Sequence, residues 1–183
     1  LTATVKDASG NVISDATVTW ASATTDVATV SSVGLVTSVG NGTASIIAVY
    51  GSINATATVT VAQVASTLEV SPSTKTLASL GDTVTLSATV KDSGGTTISG
   101  ATVTWSSSNT AVATVSTVGL VTAVADGTAM IIATSGSASA TAAVSVTQTA
   151  SSITLSPTSL SFSSLGATST LTPTVKDASG TVI

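Results

Sequence analysis

The chain repeats itself with a period of 85 residues, and this repeat limits the fold more than any other feature. Residues 86–149 align with residues 1–64 without a gap, and 41 of the 64 aligned positions are identical. A tryptophan marks the same place in both copies, at Trp20 and at Trp105. Repeating units of solenoid proteins have about 20–50 residues, whereas a small β-sandwich domain has roughly 100. The period therefore predicts a row of β-sandwich domains.

The repeat also predicts where the domains lie. We expect a domain lacking its first strands over residues 1–64, a complete domain over 65–149 and the N-terminal part of a third domain over 150–183. The chain starts at Leu1 without a signal peptide and stops partway through a copy. We therefore expect it to be a segment of a longer protein.

Short alternating segments predict strands throughout the complete repeat, and no segment combines helical caps with a 3.6-residue period. Residues 83–91 alternate most clearly, which predicts one half-buried strand. Seven or more short strands at regular spacing indicate a sandwich. We expect Trp20 and Trp105 to be the large residues of cores otherwise filled by aliphatic side chains. Ile47 and Ile132 fall on the outward face if the small residues beside them point inward.

The composition excludes several classes of function. Charged residues make up only 7% of the chain, the net charge is −4, and the four basic residues are scattered lysines. A nucleic-acid partner requires a basic patch, which this chain lacks. The chain has no run of roughly 20 apolar residues, so no membrane span is predicted. The absence of cysteine excludes disulfides.

No catalytic residue, metal ligand or cofactor site is predicted, and we expect the chain not to be an enzyme. Histidine and cysteine are absent, so the usual zinc ligands and catalytic bases are missing. Lys6-Asp7, Lys91-Asp92 and Lys176-Asp177 recur at one repeat position. They could form a calcium or partner site at a domain end, or begin a turn through an Asx hydrogen bond. Calcium requires six to eight oxygens, so a single aspartate per copy favours the turn. The two linkers, residues 62–66 and 147–151, contain no acid, which argues against calcium there as well.

Two sequons, at Asn41 and Asn54, are candidate N-glycosylation sites. They could equally be unmodified turn and strand residues in a threonine-rich chain. Sugar binding usually requires exposed aromatic rings. Tyr50 has no aromatic counterpart in the next copy, and we expect Phe162 to pack on an opening strand. A sugar-binding site is therefore not favoured.

The run WSSSNTAVATVSTVGLVTAVADGTAMIIAT, residues 105–134, resembles the bacterial immunoglobulin-like domain, group 2. That family has a Trp-Ser-Ser start, an Ala-Thr-Val strand, a Gly-x-Val-Thr turn and strand, then Gly-Thr-Ala and an isoleucine strand. Residues 20–48 match the pattern again, and residues 71–90 fit the first strands. The longer corner at 91–105 is closer to the related invasin-type group 1. The resemblance implies an all-β chain of tandem immunoglobulin-like sandwiches.

Such domains typically occur in tandem in extracellular or cell-surface proteins, as stalks, adhesive modules or spacers. The resemblance thus implies a structural segment of a large filament or stalk that sets its length. An adhesin module that binds a host, matrix or glycan ligand through loops is the alternative, as is decoration of a phage or virion surface. Sheet edges are usually guarded by charges, and this chain has few. We therefore expect self-association, with neighbouring repeats and glycans as the other candidate partners.

Overall fold

The computed structural model describes all 183 residues, and every regular element in it is a β-strand. The strands form two compact units, Leu1–Gln63 and Val64–Ile183. Alternation of β-branched and small residues explains why strands form throughout, since such side chains pack well on a pleated surface. The prediction of an all-β sandwich is confirmed.

The first unit has five strands in two antiparallel sheets. They are β1 (Thr19–Ser22), β2 (Ala28–Val30), β3 (Val36–Ser38), β4 (Gly42–Tyr50) and β5 (Ile53–Val61). One sheet has the order β1-β4-β5, and β2 pairs with β3 to form the other. Val27, Ala28 and Ala44 form a buried cluster that joins the two sheets.

The second unit contains eleven strands, nine of which form the central domain, residues 64–149. They are β6 (Thr67–Ser71), β7 (Thr74–Leu77), β8 (Thr83–Thr85), β9 (Ser87–Lys91), β10 (Thr104–Ser107), β11 (Ala113–Val115), β12 (Leu120–Ala123), β13 (Gly127–Ser135) and β14 (Ala138–Val146). One sheet has the order β10-β13-β14-β7, with β7 parallel to β14. A β11-β12-β8 sheet and a β6-β9 pair complete the sandwich.

The core of the central domain consists of two clusters of buried aliphatic side chains. The larger joins β13 and β14 to β11 and β12 through residues such as Ile131 and Val121. The smaller joins them to β6 and β9 through Leu68 and Val90. Trp105 on β10 is half-buried, and its ring packs against both clusters. Trp20 on β1 of the first unit is also half-buried.

The expectation of one strand over residues 83–91 is wrong. β8 pairs with β12 in one sheet, whereas β9 pairs with β6 in another. The chain changes sheets at Leu86, whose amide donates to the carbonyl of Gly119 at 2.8 Å. Because the inward and outward alternation continues through this residue, the sequence pattern does not reveal the change of partner.

Alternation does predict the two faces of the long strands. Ala44, Ile46 and Ala48 on β4 are buried, as are Ala129, Ile131 and Ala133 on β13. Ile47 and Ile132 lie between them on the opposite face, where they are half-buried. Cross-strand neighbours such as Thr141, which pairs with Ile132, stand beside them on that face.

Residues 150–183 form one antiparallel pair, β15 (Ser152–Ser156) and β16 (Thr172–Lys176). Phe162 lies between these strands, outside any regular element, and its side chain is 53% exposed. The expectation that Phe162 packs on an opening strand is therefore wrong. Only two strands pair in this part of the chain, so no second sheet covers the ring.

Candidate functional site

The recurring Lys-Asp pair begins the same turn in all three copies, as the turn interpretation predicts. In each copy, Oδ1 of the aspartate accepts hydrogen bonds from the amides two and four residues later. The distances are 2.9 Å and 2.9 Å at Asp7, 3.0 Å and 2.9 Å at Asp92, and 3.0 Å and 2.9 Å at Asp177. One carboxylate oxygen is therefore used to close the turn.

The second oxygen of Asp177 contacts the central domain. Oδ2 accepts a hydrogen bond from the amide of Leu80 at 3.2 Å and another from Nε2 of Gln148 at 3.0 Å. Asp177 is only 2% exposed, and no basic side chain forms an ion pair with it. The hydroxyl of Ser179 and the amide group of Gln148 hold the pKa of this carboxyl well below its usual range, so it stays ionised.

Hydrogen bonds also tie the linker after β14 to the central domain. The amide of Gln148 donates to Oδ1 of Asp126 at 2.8 Å, and the amide of Thr149 donates to the carbonyl of Ala78 at 2.9 Å. The linker residues contain no acid, as the sequence indicates. Asp126 and Asp177 nevertheless bring two carboxylates to Gln148 from distant parts of the chain, which the reading of the linker alone missed.

Asn41, a candidate glycosylation residue, performs the same capping in the first unit. It occupies the repeat position of Asp126, and its Oδ1 accepts from the amide of Gln63 at 2.7 Å. Its Nδ2, the atom that a glycan would modify, donates to Oε1 of Gln63 at 3.1 Å. Asn54, the other candidate, is exposed on β5.

No group of three or more acidic side chains lies close enough together to hold a metal ion. The carboxylate of Asp177 is surrounded by N–H and O–H donors from Leu80, Gln148, Ser179 and Thr181. These donors occupy the lone pairs of the two oxygens, which leaves little room for the six to eight oxygen ligands that a cation such as calcium requires.

We expect the melting temperature of the chain to be the same with and without EDTA. Hydrogen bonds hold the carboxylates of Asp126 and Asp177 at the joint, which is the linker between the central domain and β15, so we expect a chelator to have no effect. Differential scanning calorimetry in EDTA, and after adding back calcium, checks this. A drop of several degrees in EDTA that calcium reverses would contradict it.

An open groove with a volume of about 580 Å³ runs along β7 and across β14 and β13. Hydroxyl and small apolar side chains line it, among them Thr76, Ser145, Thr128 and Met130, and Lys75 is its one charged residue. Such a surface can form hydrogen bonds to hydroxylated or extended partners. It presents no acid and base pair that could transfer a proton.

Apolar side chains are exposed at the tip of one hairpin in both copies, a feature that the sequence reasoning missed. Val118 and Leu120, where β11 turns into β12, are 74% and 39% exposed. Val33 and Leu35, between β2 and β3, are 82% and 65% exposed. The shared Val-Gly-Leu tripeptide was the available signal, because an apolar pair flanking a turn glycine is placed at a hairpin tip.

The chain has no helix that could cross a membrane. The chain also has relatives among known proteins. Ice-binding protein 1 of Shewanella frigidimarina (strain NCIMB 400) is 36% identical over 161 residues, which is 86% of this chain and 18% of that protein. The chain thus spans about a fifth of the length of this relative.

Solved structures of surface layer protein SbsC are also similar. Its domains 1-6 share 26% sequence identity across 100% of this chain and 26% of theirs, with a TM-score of 0.46. Its domains 4 and 5 share 30% identity across 80% of each chain, with a TM-score of 0.44.

The sequence model of the bacterial Ig-like domain (group 2) matches residues 64–147, which span all nine strands of the central domain. The Trp105 strand, the Gly119 hairpin and strand β13, on which the resemblance rests, all lie within it. Over residues 64–147, the chain therefore matches the bacterial Ig-like domain family, group 2.

Proposed function

We propose that this chain is a structural segment of a large extracellular or cell-surface protein, in which repeated domains set the length of a stalk or filament. The observation that carries the proposal is that both copies of the repeat share buried core residues and a capped glutamine in the linker. Ile46 and Ile131 are both fully buried, and Gln63 and Gln148 are both held through their amides by a cap residue. Each copy therefore ends in the same way, which is what a length-setting unit requires.

The relatives support a segment of a long bacterial protein. The matched family consists of bacterial Ig-like domains, and the chain corresponds to 18% of the ice-binding relative. A segment of this kind accounts for a small part of a long protein, in which a spacer is useful. Ice binding itself is not proposed for this chain.

The proposed role is mechanical and not enzymatic. It requires no cofactor, metal ion, nucleic acid or membrane span. Each domain adds a strand length of about 8–10 residues at ~3.3 Å per residue, which is roughly 25–35 Å, together with its linker. Repetition of the unit then determines the distance between the parts of the protein that flank it.

Self-association of neighbouring chains is the finer part of the proposal. The hairpin tips at Val33 and Val118 offer apolar contacts once per repeat, and few surface charges oppose close packing. Sedimentation velocity of the purified chain at increasing concentration tests this. A single monomeric species at high concentration would count against association through this segment.

An adhesive module is the second candidate, and the same exposed tips favour it. A ligand with an apolar site could bind the valine and leucine of each tip. In that case Val33→Ser together with Val118→Ser would abolish binding to the ligand and leave the length of the array unchanged.

Deletion of one 85-residue unit from the full-length protein tests the spacer role. We expect the distance between markers on either side of the array to shorten by one constant step, as measured by electron microscopy of the native object. The double serine variant is the matched control, and its distance should equal that of the unaltered protein. An unchanged distance after the deletion would contradict the proposal.

A further inference from the structure

Asp177 differs from the first copy of its turn in what its second oxygen contacts. Oδ2 of Asp7 accepts from the side chain of Asn11 at 3.2 Å, within its own turn, and Asp7 is exposed. Oδ2 of Asp177 instead accepts from Leu80 and Gln148 of the central domain, 97 and 29 residues away in sequence. Oδ2 of Asp177 therefore bonds outside its own turn, to the domain that precedes it.

The two donors to this oxygen are themselves fixed by the central domain. Leu80 lies in the loop that follows β7, where the carboxylate of Asp82 accepts from the amides of Ala78 and Ser79 at 3.1 Å and 3.0 Å. The amide of Gly81 donates to the carbonyl of Ala123 at 3.0 Å. The loop is thus held to β12, and the N–H of Leu80 has a defined direction.

Gln148 is the second fixed donor. Its backbone amide donates to Asp126, which orients the residue, and its side chain reaches Asp177. On the other side of the joint, the amide of Ser151 donates to the carbonyl of Lys176 at 2.8 Å. The carboxylate therefore receives donors from the loop after β7 and from the linker, and the bond from Thr149 to Ala78 ties these two segments together.

We propose that the end of the central domain is a docking surface for the aspartate turn of the following copy, and that Asp177, Gln148 and the amide of Leu80 form a clamp that fixes the angle between successive repeats. The clamp requires no cation. A buried carboxylate is costly unless its oxygens are hydrogen-bonded, and here neutral donors from both sides of the joint supply those bonds. If the joint opened and no water replaced these donors, the carboxylate of Asp177 would lack hydrogen bonds.

The residues of the clamp are part of the repeat. Gln148 shares its repeat position with Gln63, and Asp177 shares its position with Asp92 and Asp7. The residue types of Gln148 and Asp177 therefore recur in the repeating unit. A chain could act as a spacer with flexible joints, so the clamp and the proposed function can fail independently.

The test compares Asp177→Asn and Gln148→Leu with Asp7→Asn in the 183-residue chain. Asparagine keeps an oxygen for the turn but turns an N–H group toward the two donors. Leucine removes Nε2 and leaves the backbone bond to Asp126 intact. Asp7→Asn makes the same change in a turn that lacks the contacts to a preceding domain.

Two readouts report on the clamp directly. Amide exchange of Leu80 measures the hydrogen bond, and the width of a spin-label distance distribution measures the angle. Because the chain contains no cysteine, labels at Thr114→Cys on β11 and Thr154→Cys on β15, both exposed positions, are unambiguous. Persistence of the β15–β16 amide pattern in each variant shows that the labelled strand remains folded.

We expect the Leu80 amide to exchange at least about tenfold faster in Asp177→Asn, as loss of a bond to a charged acceptor implies. The distance distribution should broaden in both Asp177→Asn and Gln148→Leu, and Asp7→Asn should change neither readout. An unchanged width in either joint variant, with β15–β16 intact, would overturn the clamp.

Discussion

Trp105→Ala is expected to unfold the central domain or to leave it barely folded at room temperature. The ring packs against both aliphatic clusters, so its removal opens a cavity where they meet. Replacing a fully buried tryptophan by alanine costs roughly 3–5 kcal/mol. Trp105 is half-buried, so we expect a loss toward the lower end of that range, against a total stability of about 5–15 kcal/mol. Differential scanning calorimetry measures the effect, while fluorescence of the remaining Trp20 follows the first unit separately.

Met130→Ala is the matched control for this substitution. Met130 lies on β13, which pairs with the tryptophan strand, but its side chain faces outward and is 41% exposed. Its truncation should lower the melting temperature only slightly. If Trp105→Ala melts cooperatively within a few degrees of the unaltered chain, the ring is not the centre of the core.

Gly119→Ala should be nearly as damaging, although it adds only one methyl group. Gly119 has a φ of +80°, and a Cβ there would lie 2.5 Å from the carbonyl oxygen of Leu86 and 3.2 Å from the ring of Trp105. The left-handed backbone costs an alanine roughly 1–2 kcal/mol, and overpacking adds about 1–3 kcal/mol. The expected loss in the free energy of unfolding is therefore about 2–5 kcal/mol.

Gly95→Ala separates these two contributions. Gly95 also has a φ of +80°, but nothing lies within 4 Å of its added Cβ. Gly95→Ala should lower the free energy of unfolding only by the backbone contribution, roughly 1–2 kcal/mol. Urea unfolding of both variants measures the difference, and equal losses would show that close packing of the Gly119 hairpin on the tryptophan is unimportant.

The sequence contains most of what determines the fold. Alternation identifies buried positions such as Ile131, and the 85-residue offset makes each conclusion apply to two copies. The exchange of sheets at Leu86 is not predictable in this way. The inward period of two continues while the hydrogen-bond partner changes from β12 to β6, and periodicity reports burial but not pairing.

The contacts at the joint were harder to predict from the sequence than the fold. The Asx turn at Asp177 was predictable, since it needs only residues close in sequence. Its contact with Leu80 spans 97 residues and uses a backbone amide, which no side-chain pattern reveals. The cap on the linker glutamine is harder still to predict, because its residue type differs between the copies. Asn41 caps Gln63, whereas Asp126 caps Gln148.

The function proposed for this joint is to fix the angle between successive domains. A hydrogen-bonded linker and a buried carboxylate without a cation would make the spacing of domains independent of calcium. The apolar hairpin tips would then recur at a fixed interval along the array, available to a partner or to a second chain. The proposed role of this sequence is therefore to provide length and regular spacing.

Small-angle X-ray scattering of chains with two, four and six copies of the 85-residue unit tests whether the repeat sets the length of the protein. We expect the maximum dimension to grow by the same increment for each added copy, about 25–35 Å for the domain together with its linker. Growth with the square root of the number of copies, as for domains on flexible linkers, would contradict it.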